Sequence, residues 1–335
     1  MAKRVRSSTV NVEIHRSQFP ERLEAELAEC LRARRVNHKF HYESHKQVQR
    51  WLALHEAHSP ARIDSGVERI YGEAFQSVAG GLSAHSRLHV VSLGSGGGRK
   101  DAAFLKLLAD AGAEVSYTPV DVSVGLALTS REVASEHVSP GRIRPLVCDL
   151  LAAEDLADLL TERDQGHVRR AFLFFGMLPN FEPSEILGRL AGWVRDDDLL
   201  LCSANLAPGQ VYEAGIERIL PQYDNAATRS WLATLPNDLG LEVDPARIAF
   251  SIQSCEDEPT VRRVEATVEL GQAACLSMGS EAVEFRAGET LRLFFSCRYT
   301  PLLLEEMMRI RGLGIGEQWI SESGEEGVFR IERMQ

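Results

Sequence analysis

The chain has 335 residues, of which 44% are hydrophobic and 25% charged, and its formal net charge is −11. This composition is ordinary for a globular protein with one large or two small domains, and the negative charge argues against a nucleic-acid partner. No stretch approaches the roughly 20 apolar residues of a membrane helix and the N-terminus has no apolar signal core, so no membrane partner is expected.

The first 85 residues are predicted to be mostly helical. Apolar spacing indicates an amphipathic helix over residues 19–36 and two more helices over 47–56 and 64–79, with Pro60 between the last two. A Gly-Gly pair at 80–81 then marks a hinge into the next part of the chain.

An apolar run at 88–93 breaks directly into a glycine cluster at 94–98, followed by a predicted helix over 101–111. This pattern is typical of a first strand-to-helix turn whose backbone approaches a ligand closely. The dinucleotide pattern G-x-G-x-x-G would need glycine where the chain has Arg99, so the loop favours S-adenosylmethionine (SAM) over NAD. A tight turn without any ligand is the alternative.

Further apolar runs follow the glycine loop and end in polar residues or glycine. They lie at 115–120, 143–148, 171–175 and 198–204. Asp121 ends the first run, where a carboxylate typically accepts hydrogen bonds from ribose hydroxyls, and Asp149 ends the second. Asn180 follows the third run. Because ligands bind beyond the carboxyl ends of parallel strands, these repeats predict a doubly wound α/β sheet with its site at that edge.

The rest of the chain changes from helical to alternating patterns. Residues 208–245 are polar and helical, and a helix is expected to begin at Thr300. Alternation typical of antiparallel strands occurs at 246–254, 261–269, 282–285 and 290–299, and edge strands are expected at 319–320 and 327–331. The acidic segment 322–326 is interpreted as an exposed turn.

Several motifs occur in the same order as in one known family. They are Leu-Gly-Ser-Gly-x-Gly-Arg-Lys at 93–100, Pro-Val-Asp-Val-Ser at 119–123, Asn-Phe-Glu-Pro at 180–183, Gln-Tyr-Asp-Asn-Ala at 222–226, and Gly-Glu-Thr with Ser-Cys-Arg-Tyr within 287–299. In these motifs the chain resembles the histidine-specific Nα-methyltransferases of ergothioneine biosynthesis, which depend on SAM.

The resemblance implies a class I SAM-dependent methyltransferase fold, a Rossmann-like sheet with a helical N-terminal segment and an inserted α+β lid that binds substrate. The expected division is 1–207 for the N-terminal helices and the SAM-binding core, 208–296 for the lid, and 297–335 for the return to the core sheet.

The resemblance also implies roles for individual residues. SAM would be held by Gly94, Ser95, Gly96, Lys100, Asp121 and Asp149. Asn180 and Tyr223 would hold the α-amino and α-carboxylate groups of an amino-acid substrate, which suits an amide oxygen that accepts and a hydroxyl that donates. The alternatives are a helix N-cap for Asn180, on a helix beginning at Phe181, and a half-buried interface position for Tyr223.

The side-chain pocket departs from the family pattern. It would include Tyr42, His58, Phe294 and Ser296. The family reads imidazole with a Glu and a Ser two residues apart on one strand, and here the Glu position holds Phe294 while the Ser is Ser296. A phenyl ring cannot accept from an imidazole N–H, so we expect a substrate other than histidine, with an apolar or aromatic side chain. A register slip that makes Phe294 a core residue is the alternative.

Two other functions stay open on the same fold. A SAM-consuming cyclase or aminocarboxypropyl-type transferase would release methylthioadenosine and form a small-ring amino acid, with Phe294 offering an aromatic face to the sulfonium. A SAM-binding regulatory subunit would bind the cofactor without turnover.

The six cysteines are scattered without a C-x-x-C pair, which predicts a reducing, cytoplasmic location and no disulfide or zinc site. His38, His41 and His45 recur near helical spacing without ligands at metal-binding intervals. We therefore interpret them as a solvated or hydrogen-bonded helical face and expect no metal. The oligomeric state stays open, a monomer included.

Overall fold

The computed structural model describes residues 9–58, 65–82, 85–164, 168–279 and 281–334. The side chain of His58 and the predicted break at Pro60 lie outside the described residues. The strands are β1 (Glu13–Ile14), β2 (Arg87–Leu93), β3 (Glu114–Asp121), β4 (Leu146–Val147), β5 (Arg169–Phe174), β6 (Leu199–Asn205), β7 (Ala249–Ser254), β8 (Arg262–Glu269), β9 (Ala274–Met278), β10 (Glu281–Phe285), β11 (Thr290–Arg298), β12 (Leu313–Ile320) and β13 (Glu326–Arg333).

The α-helices cover the sheet and build the parts of the chain on either side of it. They are α1 (Pro20–Arg32), α2 (His45–His58), α3 (Ser65–Gly80), α4 (Arg99–Asp110), α5 (Val124–Ala134), α6 (Leu156–Arg163), α7 (Pro183–Trp193), α8 (Tyr212–Tyr223), α9 (Ala226–Leu232), α10 (Thr234–Asp238) and α11 (Pro301–Arg309). Short 3-10 helices at His38–His41 and Leu178–Asn180 matter for the site described below.

The main sheet has the strand order β1-β4-β3-β2-β5-β6-β13-β12. Neighbouring strands from β1 to β6 are parallel, whereas β13 runs antiparallel to both β6 and β12. The predicted doubly wound α/β sheet is therefore confirmed. The chain order reverses direction between β2 and β5, and the carboxyl ends of strands at such a switch point are where ligands bind.

The parallel strands are buried on both faces, which explains their continuous apolar runs. In β2, Val91 and Leu93 pack into the cluster on one face and Leu88 and Val90 into the cluster on the other. Each such side chain, when fully buried, stabilises the fold by roughly 1.5–3 kcal/mol. The two clusters hold the strand ends rigid where the site residues emerge.

A second group of strands lies between β6 and α11 in the chain. It contains a three-stranded antiparallel sheet, in the order β11-β8-β7, and the hairpin β9-β10. We call the part of the chain from 208 to 296 the lid, as predicted; β11 extends to Arg298, and Tyr299 bridges to Leu206 beside the main sheet. The domain division itself stays a prediction.

Along β11 the side chains alternate between two environments. Leu291, Leu293, Phe295 and Cys297 pack into hydrophobic clusters. The even-numbered residues Arg292, Phe294, Ser296 and Arg298 line the large cavity described below. A bulge between Arg292 and Phe294 advances β11 by two residues against one residue of β8, so strict alternation holds from Phe294 onward; Arg292, before the bulge, lines the cavity and also lies 5.4 Å from the Phe295 ring centre.

Three expectations about strands were wrong or incomplete. The strand expected at 143–149 is only the two residues of β4, because Pro145 has no N–H to donate to a neighbour. The strand predicted at 327–331 is internal, since β13 pairs with β6 on one side and β12 on the other. Strand β9 was not predicted. Just one of its five residues, Leu276, is fully buried, so the strand has no clear alternation of apolar and polar residues.

None of the helices in the described ranges combines the length and apolar character that crossing a bilayer requires.

Candidate functional site

A cavity of about 1000 Å³ lies between the carboxyl ends of the sheet strands, the N-terminal helical segment and the lid. Ten of the twelve predicted site residues line it: Tyr42, Gly94, Ser95, Lys100, Asp121, Asp149, Asn180, Tyr223, Phe294 and Ser296. Gly96 belongs to the same loop but does not line the cavity, and the side chain of His58 is outside the described residues. A cavity of this size can hold two small molecules together.

The glycine loop after β2 has a backbone that only glycine adopts easily. Gly94 has φ +77°, and a Cβ built there would lie 2.4 Å from the sulfur of Met177. Gly98, directly before α4, has φ +69°, and its Cβ would lie 2.6 Å from the Cα of Ser130. These two glycines therefore let the loop pack directly against Met177 and α5, where a larger residue would collide with the protein.

Asp121, the last residue of β3, contacts the glycine loop through its carboxylate. Its Oδ2 accepts the N–H of Gly96 at 2.9 Å and its Oδ1 accepts the N–H of Ser123 at 3.0 Å. Burial raises the pKa of this carboxyl group to about 6, although the backbone N–H donors oppose the shift. The carboxylate lies where ribose hydroxyls bind in doubly wound sheets.

Asp149 lies one strand further along the same edge. Its Oδ1 accepts a hydrogen bond from the N–H of Leu151 at 2.9 Å, and its Oδ2 accepts one from Nζ of buried Lys39 at 2.7 Å. Lys39 also pairs with Glu26 of α1. The sequence analysis did not identify this lysine as a site residue.

Lys100 is held in a buried polar cluster. Its Nζ donates to the Tyr71 hydroxyl at 2.6 Å and lies 3.4 Å from the Glu326 carboxylate. The expectation that residues 322–326 form an exposed turn is wrong at its last position, because Glu326 is buried and begins β13. The Glu326 carboxylate also accepts a hydrogen bond from the Tyr71 hydroxyl at 2.5 Å.

Asn180 ends the short 3-10 helix that follows β5. The alternative that it caps a helix from Phe181 is wrong, since α7 begins at Pro183 and its N-cap residue is Glu182. The side-chain N–H of Asn180 makes one long contact of 3.4 Å to the carbonyl of Gly176, and none of the described residues donates to its side-chain oxygen. That oxygen is thus available to a ligand in the cavity.

Tyr223, at the end of α8, joins a chain of polar side chains on β11. Its hydroxyl donates to Oγ of Ser296 at 2.9 Å and accepts from Nη2 and Nε of Arg298 at 2.8 and 3.2 Å. Tyr223 is half-buried between α8 and β11, which is the alternative given for it in the sequence analysis. It also lines the cavity.

Phe294 lies in an aromatic part of the cavity wall. Its ring centre is 4.7 Å from that of His38 and 6.0 Å from that of Trp231, and Tyr42 lies 5.7 Å from Trp231. Phe294 and Ser296 share the cavity face of β11, as their two-residue spacing predicted. The neighbouring Phe295 packs into the hydrophobic core.

The expected histidine face, solvated or hydrogen-bonded, is not solvated at His38 and His41, which are buried, but Nε2 of each ring makes a hydrogen bond to the backbone of β11. The N–H of Phe295 donates to Nε2 of His38 at 3.4 Å, and burial lowers the pKa of His38 to about 3. His38 is therefore neutral at physiological pH and adds an uncharged aromatic face. Among the described residues no group of three His, Cys, Asp or Glu side chains is arranged to hold a metal ion.

Sequence reasoning missed three residues of this wall: His38, Trp231 and Arg298. Arg298 could have been found, because it continues the two-residue alternation of Phe294 and Ser296 along β11. Trp231 lies on α9, and nothing in the sequence near it indicates that it reaches the strand.

Comparisons with known proteins agree with this geometry. The model of a family described as histidine-specific, SAM-dependent methyltransferases matches residues 69–333. The histidine N-alpha-methyltransferase of Mycobacterium tuberculosis is 27% identical over 253 residues, which are 71% of this chain and 73% of that protein.

Solved structures are similar only at a distance. The CcbJ methyltransferase from Streptomyces caelestis is 17% identical, over 79% of this chain and 90% of that chain, with a TM-score of 0.38. A possible exported protein from Bordetella parapertussis is 10% identical, over 95% of this chain and 98% of that chain, with a TM-score of 0.48. Both scores are low, and the fold is assigned from the strand order and the family match.

Proposed function

We propose that this chain, which belongs to the family of SAM-dependent, histidine-specific methyltransferases, methylates the α-amino group of an amino acid whose side chain is aromatic or otherwise apolar. Family membership makes it a SAM-dependent methyltransferase of the class I fold. The choice of substrate is the proposed part, and the observation that carries it is the position of Phe294 on the cavity wall, among Trp231 and the uncharged ring of His38.

The residues around the glycine loop fit SAM. The glycine loop lines the cavity, and the positive φ angles of Gly94 and Gly98 hold its backbone in a conformation that other residues rarely adopt. The Asp121 carboxylate suits ribose hydroxyls, the Lys100 ammonium suits the carboxylate of the methionine part, and Asp149 lies further along the edge, toward the adenine. When bound, SAM supplies an electrophilic methyl group.

The polar residues across the cavity suit an α-amino acid. The side-chain oxygen of Asn180 can accept an N–H of the amine and so direct its lone pair. A free α-amine is mostly protonated at neutral pH, so a proton must leave before transfer. Water in the cavity is the acceptor, because transfer through the Tyr223 hydroxyl would protonate Oγ of Ser296, 2.9 Å away, which has no onward proton acceptor among the described residues.

The aromatic wall supports discrimination against histidine. An imidazole N–H placed against Phe294 would lose its hydration without gaining an acceptor, which costs roughly 1–3 kcal/mol and lowers kcat/KM by about 5- to 150-fold. An aromatic ring at the same place gains apolar contact and ring–ring contact instead.

Mass spectrometry of the products tests the proposal. The protein is incubated with SAM, with and without the twenty amino acids. We expect adenosylhomocysteine together with a methylated apolar or aromatic amino acid. Preferential methylation of histidine would overturn the substrate assignment. Methylthioadenosine formed without added amino acid would instead establish the cyclase alternative, which the aromatic wall could also serve by facing a sulfonium.

A further inference from the structure

Arg298 is a buried cation, and its hydrogen-bond partners among the described residues are all neutral. It is 7% exposed and ends β11 on the cavity face. Nη2 and Nε donate to the Tyr223 hydroxyl at 2.8 and 3.2 Å, and Nη1 donates to the carbonyl oxygens of Leu206 and Glu325 at 3.2 and 3.5 Å. These contacts use four of the five N–H donors of the guanidinium, so one N–H on Nη2 is left over.

The other buried arginines of the described chain each have a carboxylate partner. Arg170 pairs with Asp198, Arg163 with Glu13, and Arg263 with Glu182. Among the described residues, no Asp or Glu carboxylate lies within ion-pair distance of Arg298. A charge removed from water without a counter-charge is costly, which is why buried charges are normally paired.

We infer that Arg298, together with Tyr223, binds the α-carboxylate of the amino-acid substrate and makes the enzyme select free amino acids over their amides. The carboxylate would accept the remaining N–H of Nη2, and the Tyr223 hydroxyl would turn from Ser296 to the second oxygen. The missing counter-charge of Arg298 is then supplied by the substrate. This inference rests on the proposed function and names the group that the polar end of the cavity recognises.

The geometry also gives the substrate an orientation. Phe294, Ser296 and Arg298 follow one another at two-residue spacing on the same face of β11. Each is therefore about 7 Å along the strand from the one before it. A carboxylate at Arg298 and a side chain at Phe294 therefore span the strand lengthwise. The α-amine, between these two groups, faces across the cavity toward Asn180.

The test compares acids with their amides. Values of kcat/KM are measured for L-phenylalanine, L-tyrosine and L-tryptophan and for the α-carboxamide of each, with wild type, Arg298→Met and Arg298→Lys. We expect wild type to prefer the acid by on the order of 100-fold. Arg298→Met should reduce this ratio to within about threefold of unity while still methylating the amides, and Arg298→Lys should retain an intermediate ratio because it keeps the charge but has three N–H donors for the partners that Arg298 serves with five.

Controls separate this effect from general damage. SAM affinity, measured by calorimetry, should change less than about threefold in each variant. Arg292→Met alters the cavity face of the same strand, but Arg292 is paired with Glu256 and Glu265, so the acid-to-amide ratio should not change. If Arg298→Met does not fold, Arg298→Lys still decides, since a ratio equal to that of wild type would contradict recognition of the carboxylate through the remaining N–H of Nη2.

Two failures are distinguishable. If wild type methylates none of these acids or amides, nor any other apolar amino acid in the product analysis above, the proposed function fails, and this inference fails with it. If wild type methylates the acids but Arg298→Met keeps the wild-type acid-to-amide ratio, the proposed function stands and the role of Arg298 is wrong.

Discussion

At the scale of single residues, Phe294 is the position at which the sequence predicts a departure from the family pattern in the side-chain pocket. Its ring contacts His38, Trp231 and Tyr223 across the cavity, with centroid distances of 4.7, 6.0 and 6.3 Å. None of these rings carries an anionic acceptor. The side-chain end of the pocket is therefore apolar although its other end is polar.

Phe294→Glu should move the substrate preference toward histidine. A carboxylate at this position can accept an imidazole N–H, so we expect kcat/KM for histidine to rise at least about tenfold and that for aromatic amino acids to fall. Competition assays with mixed amino acids, read by mass spectrometry, measure both. Phe294→Leu is the matched control, which should keep the apolar preference. Continued rejection of histidine by Phe294→Glu would show that this position does not read the side chain.

Asp121 predicts how SAM affinity depends on pH. Burial raises its pKa to about 6, so the carboxylate gains a proton as pH falls through 6 and becomes a poorer acceptor for ribose hydroxyls. The Kd for SAM should rise about tenfold between pH 7 and pH 5. Calorimetry at several pH values measures it.

The raised pKa of Asp121 changes the stability of the fold in the opposite direction: the fold becomes more stable as pH falls, whereas SAM binding becomes weaker. The folded state holds the Asp121 proton more tightly than the unfolded state, so this group destabilises the fold above pH 6 and the penalty disappears as pH falls toward 4. Weaker SAM binding at pH 5 is therefore not a sign of unfolding. Asp121→Asn should flatten the pH dependence of Kd, whereas Asp101→Asn, which removes a second carboxyl with a pKa of about 6, should retain it.

At the scale of elements, the lid is attached to the core through the N-terminus of α7. The Asp257 carboxylate accepts the N–H groups of Ser184 and Glu185 at 2.8 and 3.2 Å, so a loop of the lid caps a helix of the core. Asn180 lies three residues before that helix. The position of the lid and the position of Asn180 are therefore linked.

Asp257→Ala should lower the free energy of unfolding by about 1 kcal/mol and raise KM for the amino acid. Thr300→Ala removes a comparable cap from α11, where Oγ1 accepts the N–H of Leu303 at 3.1 Å, away from Asn180. It should cost similar stability without changing KM. Urea unfolding and steady-state kinetics measure the two quantities. Equal KM values for both variants would contradict the link between cap and site.

Elements marked by local patterns were predicted well from the sequence. Strands β2, β3, β5 and β6 lie within about two residues of their predicted bounds, because each is an apolar run that ends at glycine or a polar residue. Ten of the predicted site residues were brought to one cavity by the rule that ligands bind at the carboxyl ends of parallel strands.

Features that depend on distant pairing were not predictable in this way. The sequence does not reveal that Arg298 lacks an acidic partner, because the partner of a buried charge is chosen by the tertiary fold. The spacing of His38 predicted a place on a solvated or hydrogen-bonded helical face. The fold instead buries it against β11, more than 250 residues away in the chain. The exposed strand β9 carries too few buried residues to produce a pattern.

At the scale of the whole molecule, ion pairs join the lid to the core. Arg263 of β8 is buried and pairs with Glu182, the N-cap residue of α7, as well as with Glu265 at 2.6 Å. Removing one partner from such a cluster leaves the others buried without a counter-charge.

Arg263→Met should lower the free energy of unfolding by about 3 kcal/mol. Lys106→Met is the control: it removes an exposed pair with Asp110 on α4 and should cost less than about 1 kcal/mol. Urea denaturation followed by circular dichroism measures both. Similar small losses for the two variants would mean that the Arg263 cluster does not join the lid to the core.

Strand β11 carries two independent sets of side chains on its two faces. Beyond the bulge, Phe295 and Cys297 hold the strand in the hydrophobic core, and Phe294, Ser296 and Arg298 meet whatever enters the cavity. Evolution can therefore exchange every second residue and change the substrate while the packing of the strand is inherited unchanged. Relatives of this chain should diverge in specificity through paired substitutions at 294 and 296, and a library restricted to those two positions offers the shortest route to enzymes that alkylate new amino acids.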